Sequence, residues 1–174
     1  QFTNFVLRGE FVQDQAIAEE IVEHNKAVIV VLNKIDLVDE KTRNQILDSL
    51  PDHFSKLWYA PVVFTSALSG EGLPRMLELA HEIWGKGGAE VPQEHLDDFL
   101  DDVIKKHMPG KMDDERKPKI YNLKQDRSHP PTFKLTVNFP SAFAPAWKKI
   151  FEKQFRIKFG FEGSPIIINY ARRT

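Results

Sequence analysis

The sequence lacks cysteine and has no long apolar run. Without cysteine the chain forms no disulfide and no thiolate metal site, a composition typical of a reducing cytosol. No apolar run approaches the roughly 18 residues needed to cross a bilayer, and the first residues, QFTNFVLRGE, lack the charged-then-apolar pattern of a signal peptide. The six histidines show no metal-ligand spacing. We therefore expect a cytoplasmic, globular protein without a membrane partner or a metal site of its own.

Charge is distributed unevenly along the chain. Residues 1–115 contain 11 basic and 22 acidic side chains, a net charge of −11, whereas residues 116–174 contain 13 basic and 3 acidic ones, a net charge of +10. A basic segment of this kind is typical of a protein that approaches a phosphate backbone. Two alternatives stay open at this point: an ordinary solvated surface, or attraction between the two halves.

The first half of the chain alternates between helical and strand patterns. Such alternation predicts right-handed crossovers and a parallel sheet, so we predict an α/β domain over residues 1–88, with the Gly-rich segment 85–88 as its boundary. The predicted elements are a helix over 13–25, a strand over 27–32, a helix over 40–50, a strand over 61–66 and a helix over 73–84. The last helix carries an apolar side made of Met76, Leu77, Ala80, Ile83 and Trp84.

The second half predicts a small α+β domain over residues 89–174. Its predicted elements are a helix over 92–107, a loop over 108–118, strands over 119–124 and 132–138, a helix that ends at 159, and a last strand within 164–173. On the helix that ends at 159, an inner face is formed by Trp147, Ile150, Phe151, Gln154 and Phe155. The opposite face is formed by Lys148, Lys149, Glu152, Lys153 and Arg156.

The four residues Asn33-Lys34-Ile35-Asp36 follow the first predicted strand. An ionised carboxylate at Asp36 can accept hydrogen bonds from the adjacent N1–H and N2–H₂ donors of guanine, and adenine does not offer that pair. Asn33 can use its amide on the N7/O6 edge and tie neighbouring loops together, while the stem of Lys34 lies across the base. Ile35 is expected to point into the core. The alternative is a polar turn after a strand.

A second loop, Ser66-Ala67-Leu68-Ser69-Gly70-Glu71-Gly72-Leu73, follows the second predicted strand. Small residues there allow the backbone N–H of Ala67 to approach the guanine O6, and Gly70 and Gly72 permit unusual dihedral angles. Ligands of open α/β sheets bind at the carboxyl ends of neighbouring strands. The two loops together therefore predict a guanine-base site formed by Asn33, Lys34, Asp36, Ser66, Ala67 and Leu68. A helix-capping turn is the alternative for the second loop.

These motifs carry a family resemblance. The sequences NKID and SALSGEGL resemble the fourth and fifth guanine-nucleotide motifs of the TRAFAC-type GTPases, and residues 117–173 resemble the KH-like domain of the bacterial Der (EngA) GTPases. In that family two GTPase domains in tandem precede the KH-like domain. The resemblance implies an incomplete P-loop-NTPase-like parallel sheet, followed by a KH-like domain. It also implies a GTP-hydrolysing ribosome biogenesis factor that binds GTP or GDP, uses Mg²⁺ in the parent protein, and acts on the large ribosomal subunit and not on DNA.

The phosphate-binding motifs of that family are missing from this sequence. No Gly-x-x-x-x-Gly-Lys-[Ser/Thr] and no Asp-x-x-Gly occurs, and the Gly-Lys pairs at 85–86 and 110–111 lack the surrounding pattern. We therefore expect a C-terminal fragment whose partner is an upstream GTPase domain, with no catalytic residue and no hydrolysis by itself. Two other hypotheses remain: an Era-like GTPase that also bears a KH domain, and a stand-alone interaction module that binds RNA or protein without nucleotide.

RNA contact is expected from the basic face of the last helix and from the tail. The candidates are Lys148, Lys149, Lys153, Arg156, Arg172 and Arg173, with Lys117, Lys119, Lys124 and Arg127 nearby. The sequence Gly160-Phe161-Glu162-Gly163 matches the Gly-x-x-Gly clamp of RNA-binding KH domains, but it lies between the last helix and the last strand instead of between two helices. We therefore interpret it as a helix C-cap turn with Gly160 in the left-handed region.

Overall fold

The computed structural model of the chain describes residues 12–107 and 117–173. The predicted loop over 108–118 lies almost wholly outside the described residues. The helices are α1 (Val12–Glu23), α2 (Glu40–His53), α3 (Leu73–Gly87), α4 (Gln93–His107) and α5 (Pro145–Phe159). The strands are β1 (Val30–Leu32), β2 (Val62–Phe64), β3 (Ile120–Arg127), β4 (Thr132–Val137) and β5 (Ile167–Arg172). No helix of this described part is long and apolar enough to cross a membrane.

The described residues group into two compact units. The first contains residues 12–84 together with the short segment 162–165, and the second contains the other described residues from 85 onward. The division of the chain into domains at residue 88 stays a prediction.

The first unit contains the predicted parallel pair of strands. β1 pairs with β2 in the register Val30↔Val62 to Leu32↔Phe64, so both strands end at the same edge. Helix α2 begins at Asp39, whose carboxylate accepts a hydrogen bond of 2.8 Å from the backbone N–H of Thr42. Hydrogen bonds from the side chain and then the backbone of Thr42 lower the pKa of Asp39 below its ordinary value. The helix then packs Ile46 and Leu50 against Leu32.

The predicted apolar faces of the first unit are partly wrong. Helix α3 buries Leu79 and Ile83, whereas Leu77 and Trp84 are 64% and 71% exposed. Val31 on β1 is also exposed. A sheet of two short strands, as described here, offers a narrow surface, and it covers only a narrow stripe of a neighbouring helix. In α1, Ala18 is buried and Ile17 is 55% exposed.

Segment 162–165 joins the first unit through its backbone. Gly163 accepts a hydrogen bond of 2.9 Å from the N–H of Val28 and donates one of 2.8 Å to the carbonyl of Tyr59. Gly163 has a φ of +67°, and a Cβ at this position would lie 2.9 Å from the carbonyl oxygen of Val28. A glycine is therefore required for this close approach.

The second unit is a three-stranded sheet with helices on one face, as predicted. The strand order is β3-β4-β5, with β3 antiparallel and β5 parallel to β4. Alternate strand residues such as Leu123, Phe133 and Leu135 are fully buried against α4 and α5. Phe99 of α4 meets the rings of Phe151 and Phe155 edge to face, with centroid distances of 5.4 and 5.2 Å. This aromatic core confirms the interpretation of the α5 aromatics as core residues.

Helix α5 presents its apolar face with a spacing of four residues. Trp147, Phe151 and Phe155 are buried, but Ile150, predicted on the same face, is 44% exposed. The helix ends at Gly160, whose φ of 69° lies in the left-handed region and whose N–H donates to the carbonyl of Arg156. The predicted C-cap turn is confirmed.

Candidate functional site

The predicted guanine loops meet at the shared end of β1 and β2. Because Leu32 lies opposite Phe64, the residues that follow them, Asn33 and Thr65, leave the sheet side by side. The N–H of Thr65 donates to the carbonyl of Leu32 at 2.9 Å, and the N–H of Ile35 donates to the carbonyl of Thr65 at 3.0 Å. The parallel pairing thus continues into the two loops and fixes their separation.

The side chain of Asn33 connects the loops directly. Its Oδ1 accepts a hydrogen bond of 2.8 Å from the N–H of Lys34 and one of 3.0 Å from the N–H of Ala67, 34 residues further along the chain. The expectation that Asn33 ties neighbouring loops together is therefore confirmed. One side-chain oxygen holds the turn of the first loop and the tip of the second.

The first loop has an unusual backbone. Lys34 adopts φ 66° and ψ 36°, the left-handed region, and a short 3₁₀ turn over Ile35–Leu37 follows it. For a residue other than glycine this conformation costs about 1 kcal/mol. Ile35 anchors the turn because its side chain is buried, as predicted, while Lys34 and Asp36 are exposed. The turn therefore presents the Asp36 carboxylate to solvent from a fixed base.

The second loop is folded around Ser66 and two glycines. Ser66 is fully buried; its carbonyl accepts from the N–H of Gly70 at 2.8 Å and its hydroxyl from the N–H of Ser69 at 3.2 Å. Gly72 has a φ of +76°, and a Cβ there would lie 2.0 Å from the carbonyl oxygen of Phe64. Ser66 thus supports the loop from inside, while Ala67 and Leu68 lie on its surface, with Leu68 89% exposed.

Arg43 of α2 braces both loops, and the sequence pattern did not indicate it. Its Nη2 donates to the carbonyl of Ile35 at 3.2 Å, and its Nη1 lies 3.7 Å from a carboxylate oxygen of Glu71 in the second loop. The only signal in the sequence is that an arginine follows the NKID motif within the first turn of the next helix. Arg43 therefore connects the first loop to the second.

This arrangement suits a planar base with a donor pair on one edge. It places an exposed carboxylate at Asp36 and exposed apolar side chains at Leu37 and Leu68 around the same strand ends, and the N–H of Ala67 there is donated to Asn33. Those are the group types that a guanine base requires. Within residues 12–107 and 117–173, no group of three His, Cys, Asp or Glu side chains is placed to hold a metal ion.

Five of the six predicted RNA-contact residues lie at the surface of the second unit, four of them exposed and one half-buried. Lys149, Lys153, Arg172 and Arg173 are exposed. Lys148 is half-buried, with its Nζ 4.5 Å from the ring centre of Tyr170, and the guanidinium of Arg173 lies 4.5 Å from the ring centre of Tyr121. These contacts are cation–π interactions within the unit.

The placement of Arg156 on the exposed face is wrong. Arg156 is only 6% exposed, and its guanidinium is engaged in internal hydrogen bonds. Its Nε donates to Glu152 at 2.9 Å, and its Nη1 donates to the carbonyl of Phe161 at 2.6 Å. The side chain thus closes the C-terminal end of α5 over the turn at Gly160, and it is not available to a phosphate.

Comparison with known proteins matches the second half of the chain to a family model and nearly the whole chain to curated relatives. Residues 90–170 match the family described as the KH-domain-like domain of EngA bacterial GTPase enzymes, C-terminal. Proteins named GTPase Der from Protochlamydia amoebophila and Nostoc punctiforme are 31% and 36% identical, and the matches cover 97% and 90% of this chain. The same matches cover 34% and 35% of those relatives, so the chain spans about a third of their length.

A solved structure of Era in complex with MgGDPNP and a segment of 16S ribosomal RNA also matches. It is 20% identical, covers 88% of this chain and 59% of that chain, and has a TM-score of 0.29, too low to establish a common fold.

Proposed function

Because residues 90–170 are a KH-like domain of the EngA type and the whole chain resembles the C-terminal part of the Der GTPases, we propose that it carries the guanine-reading loops and the RNA-binding domain of a GTP-hydrolysing ribosome assembly factor. The nucleotide is GTP or GDP. The RNA belongs to the large ribosomal subunit. An upstream GTPase domain completes the enzyme.

The contact between Asn33 Oδ1 and the N–H of Ala67 carries this proposal. This contact joins the two loops for which the sequence predicts guanine contacts. The side chain that joins them is Asn33, the residue expected to do so. A polar turn and a helix-capping turn that were unrelated to each other would not need a side-chain bond across 34 residues. The left-handed Lys34 adds support, because strained backbone is concentrated at binding sites.

In the proposed complex Asp36 selects the base. Its two carboxylate oxygens accept from N1–H and N2–H₂ of guanine, and adenine would leave the carboxylate facing an acceptor nitrogen. Lys34 covers one side of the base with its aliphatic stem. The N–H of Ala67 donates to Asn33, so a hydrogen bond from it to O6 of guanine either shares that hydrogen or replaces the contact with Asn33.

The phosphates need groups that this sequence does not supply. A P-loop backbone and its lysine provide most of the affinity for a nucleotide, and the Mg²⁺ ion is held by the P-loop hydroxyl and the phosphates. We therefore place Mg²⁺ and hydrolysis in the longer parent protein. This chain contributes base selection, which requires neither the metal nor a catalytic side chain of its own.

The proposal is tested with the chain and guanosine, which has no phosphates. In an NMR titration of the 174-residue chain, guanosine at millimolar concentrations should shift the amide signals of Ala67 and Asp36, whereas adenosine should not. Asp36→Asn should weaken guanosine and favour xanthosine, whose second carbonyl replaces the amino group and accepts from the new amide. Equal shifts with guanosine and adenosine would contradict base selection. Submillimolar affinity for GDP would contradict the expected loss of the phosphate site.

The ribosomal target is tested separately by co-sedimentation. The chain is mixed with purified large or small ribosomal subunits at low salt and again at moderate salt. Binding to the large subunit that weakens as salt increases supports the proposal. Equal retention on both subunits would remove the large-subunit assignment and leave the guanine site unaffected.

A further inference from the structure

The sheet of the second unit has one face that the helices do not cover. Leu123, Leu135 and Tyr170 point toward α4 and α5, so the residues that follow or precede them point the other way. Lys124 lies directly opposite Lys134, and Lys134 lies directly opposite Asn169. All three are exposed. We call this side the open face.

The two lysines of the open face repel each other. Side chains directly opposite on antiparallel strands have Cβ atoms about 5 Å apart, and a like-charged pair at that distance is destabilising. The described strands β3, β4 and β5 contain a single acidic residue, Asp126, and it lies where the register between β3 and β4 shifts. No opposite charge from within these strands is therefore in register to offset the pair.

The rest of the open face is polar and flat. The next row across the sheet places Asn122 opposite Thr136, and Thr136 opposite Ala171. Asn122, Thr136 and Asn169 offer hydrogen-bond donors without bulk. At the rim, Arg173 lies over the ring of Tyr121. That ring has one side occupied, so the face offers cations and hydrogen-bond donors more readily than stacking platforms for bases.

We infer that the open face binds the phosphate backbone of an RNA strand without reading its base sequence, with Lys124 and Lys134 as the central contacts. A phosphate between the two ammonium groups neutralises a repulsion that the free protein carries. This inference rests on the RNA-binding part of the proposed function and locates it on a surface other than helix α5. Phosphate contacts give affinity and salt dependence, whereas sequence is read through base edges and stacking.

The basic residues of α5 are less well placed for this task. Lys148 is engaged with the ring of Tyr170, and Arg156 is buried with Glu152. Glu152 also introduces a negative charge into that row. Lys149 and Lys153 remain exposed, but α5 covers the opposite side of the sheet from the open face. The two surfaces can therefore be tested separately.

The experiment measures fluorescence anisotropy with labelled 12-nucleotide oligo-U and oligo-A RNA and the 174-residue chain, between 50 and 200 mM KCl. The open-face variant is Lys124→Gln/Lys134→Gln. Lys149→Gln/Lys153→Gln changes the charge equally on α5, and Lys105→Gln/Lys106→Gln does so on the exposed side of α4 as a matched control. Thermal unfolding of every variant is recorded alongside.

The inference predicts four results. The wild-type chain binds both oligonucleotides within about threefold of each other. The open-face variant binds more weakly, and its log Kd–log[salt] slope falls by about 1.4 because each contact to a single strand contributes about 0.7. Its unfolding midpoint is unchanged or higher, since the repulsion is gone. The α4 control keeps the wild-type slope.

Other outcomes overturn the inference. An unchanged slope in the open-face variant, with a reduced slope in the α5 variant, would move RNA binding to the helix while the proposed function stands. A strong preference between oligo-U and oligo-A would contradict backbone recognition. Absence of RNA binding by the wild-type chain would remove both the inference and the RNA part of the proposed function, but not the guanine site.

Discussion

Asn33 Oδ1 lies 3.0 Å from the backbone nitrogen of Ala67, and the same oxygen lies 2.8 Å from the backbone nitrogen of Lys34. A single acceptor therefore sets the distance between two loops that belong to different strands. The two strands are only three residues long each. Much of the order at this end of the sheet must come from such side-chain bonds and not from the ladder alone.

Asn33→Ala should loosen the second loop, whereas Asn33→Asp should preserve it because the acceptor oxygen remains. Loss of the bond is expected to cost about 1 kcal/mol in the free energy of unfolding of the first unit. The amide signal of Ala67 should move toward its random-coil position in the alanine variant and stay near its native position in the aspartate variant. Equal displacement in both variants would show that the oxygen does not hold Ala67.

Gly72→Ala should destabilise the first unit much more than Gly70→Ala. Both glycines have positive φ, so each alanine costs about 1 kcal/mol of backbone strain. At Gly72 the new Cβ also meets the Phe64 carbonyl oxygen at 2.0 Å, whereas at Gly70 nothing lies within 4 Å. We expect a further loss of about 2 kcal/mol at Gly72, measured by denaturant unfolding. Similar losses at both positions would mean that the loop moves away from Phe64 without cost.

Arg43→Ala should weaken guanosine binding without removing any group that touches the base. The arginine fixes the carbonyl of Ile35 and pairs with Glu71, so its loss frees both loops. Because the pair with Glu71 is partly exposed, stability should fall by less than about 1 kcal/mol. The guanosine titration is the measurement, with Arg43→Lys as the control that keeps the charge but not the forked geometry. Unchanged affinity in the alanine variant would exclude a positioning role.

Arg156→Ala should destabilise the second unit, in contrast to Lys153→Ala on the same helix. The arginine is buried with two hydrogen bonds and an ion pair to Glu152, whereas Lys153 is exposed. Its removal leaves the Phe161 carbonyl and the half-exposed Glu152 without their donor, an expected cost of about 2 kcal/mol. Thermal unfolding distinguishes the variants. A loss as small as that of Lys153→Ala would contradict the structural role assigned to Arg156.

Tyr170→Phe should make the protein more resistant to alkali. Among the residues that the structure describes, the buried hydroxyl of Tyr170 has no hydrogen-bond partner. Burial, with a smaller contribution from Glu152, raises the pKa of the phenol above its ordinary value of 10.0. The folded state therefore keeps the proton longer than the unfolded state, so the stability of the wild-type protein falls as the pH rises above about 10.

The comparison of the two proteins is made by urea unfolding at pH 8 and pH 11. At pH 8 the phenylalanine variant should be as stable as the wild type or more stable, because no hydrogen bond is lost. At pH 11 the free energy of unfolding of the phenylalanine variant should exceed that of the wild type by a larger margin than at pH 8. A constant difference between the two values of pH would show that Tyr170 does not titrate differently on folding.

Most of the parts that the sequence predicted depend on neighbours along the chain. Local geometry is determined in this way at three places. The β-branched run before Asn33 forms a parallel strand, the motif Asn33-Lys34-Ile35-Asp36 forms a turn, and Gly160 forms a left-handed C-cap. The parallel pairing of β1 and β2 followed from the alternation of strands and helices. Joining of the loops by Asn33 followed from that pairing.

The parts that it did not predict depend on contacts made in space. Arg156 is buried because the turn after α5 returns the Phe161 carbonyl to its guanidinium, which a helical wheel does not show. Ser66 points inward because the loop folds back on its hydroxyl. Likewise, the pairing of Lys124 with Lys134 requires the hairpin register, and that register contains a shift which composition does not reveal.

The three-residue pairing of β1 with β2 has a thermodynamic consequence for the ligand. The base-reading loops extend directly from this short ladder, so local opening of the strands and loss of the binding geometry are the same event. Any molecule that binds the closed form is therefore linked to hydrogen exchange at Val30 and Thr65, whose N–H groups donate to the carbonyls of Pro61 and Leu32, and its concentration sets how often those amides open. Ligand binding to the loops and folding of strands β1 and β2 are therefore coupled in a single equilibrium.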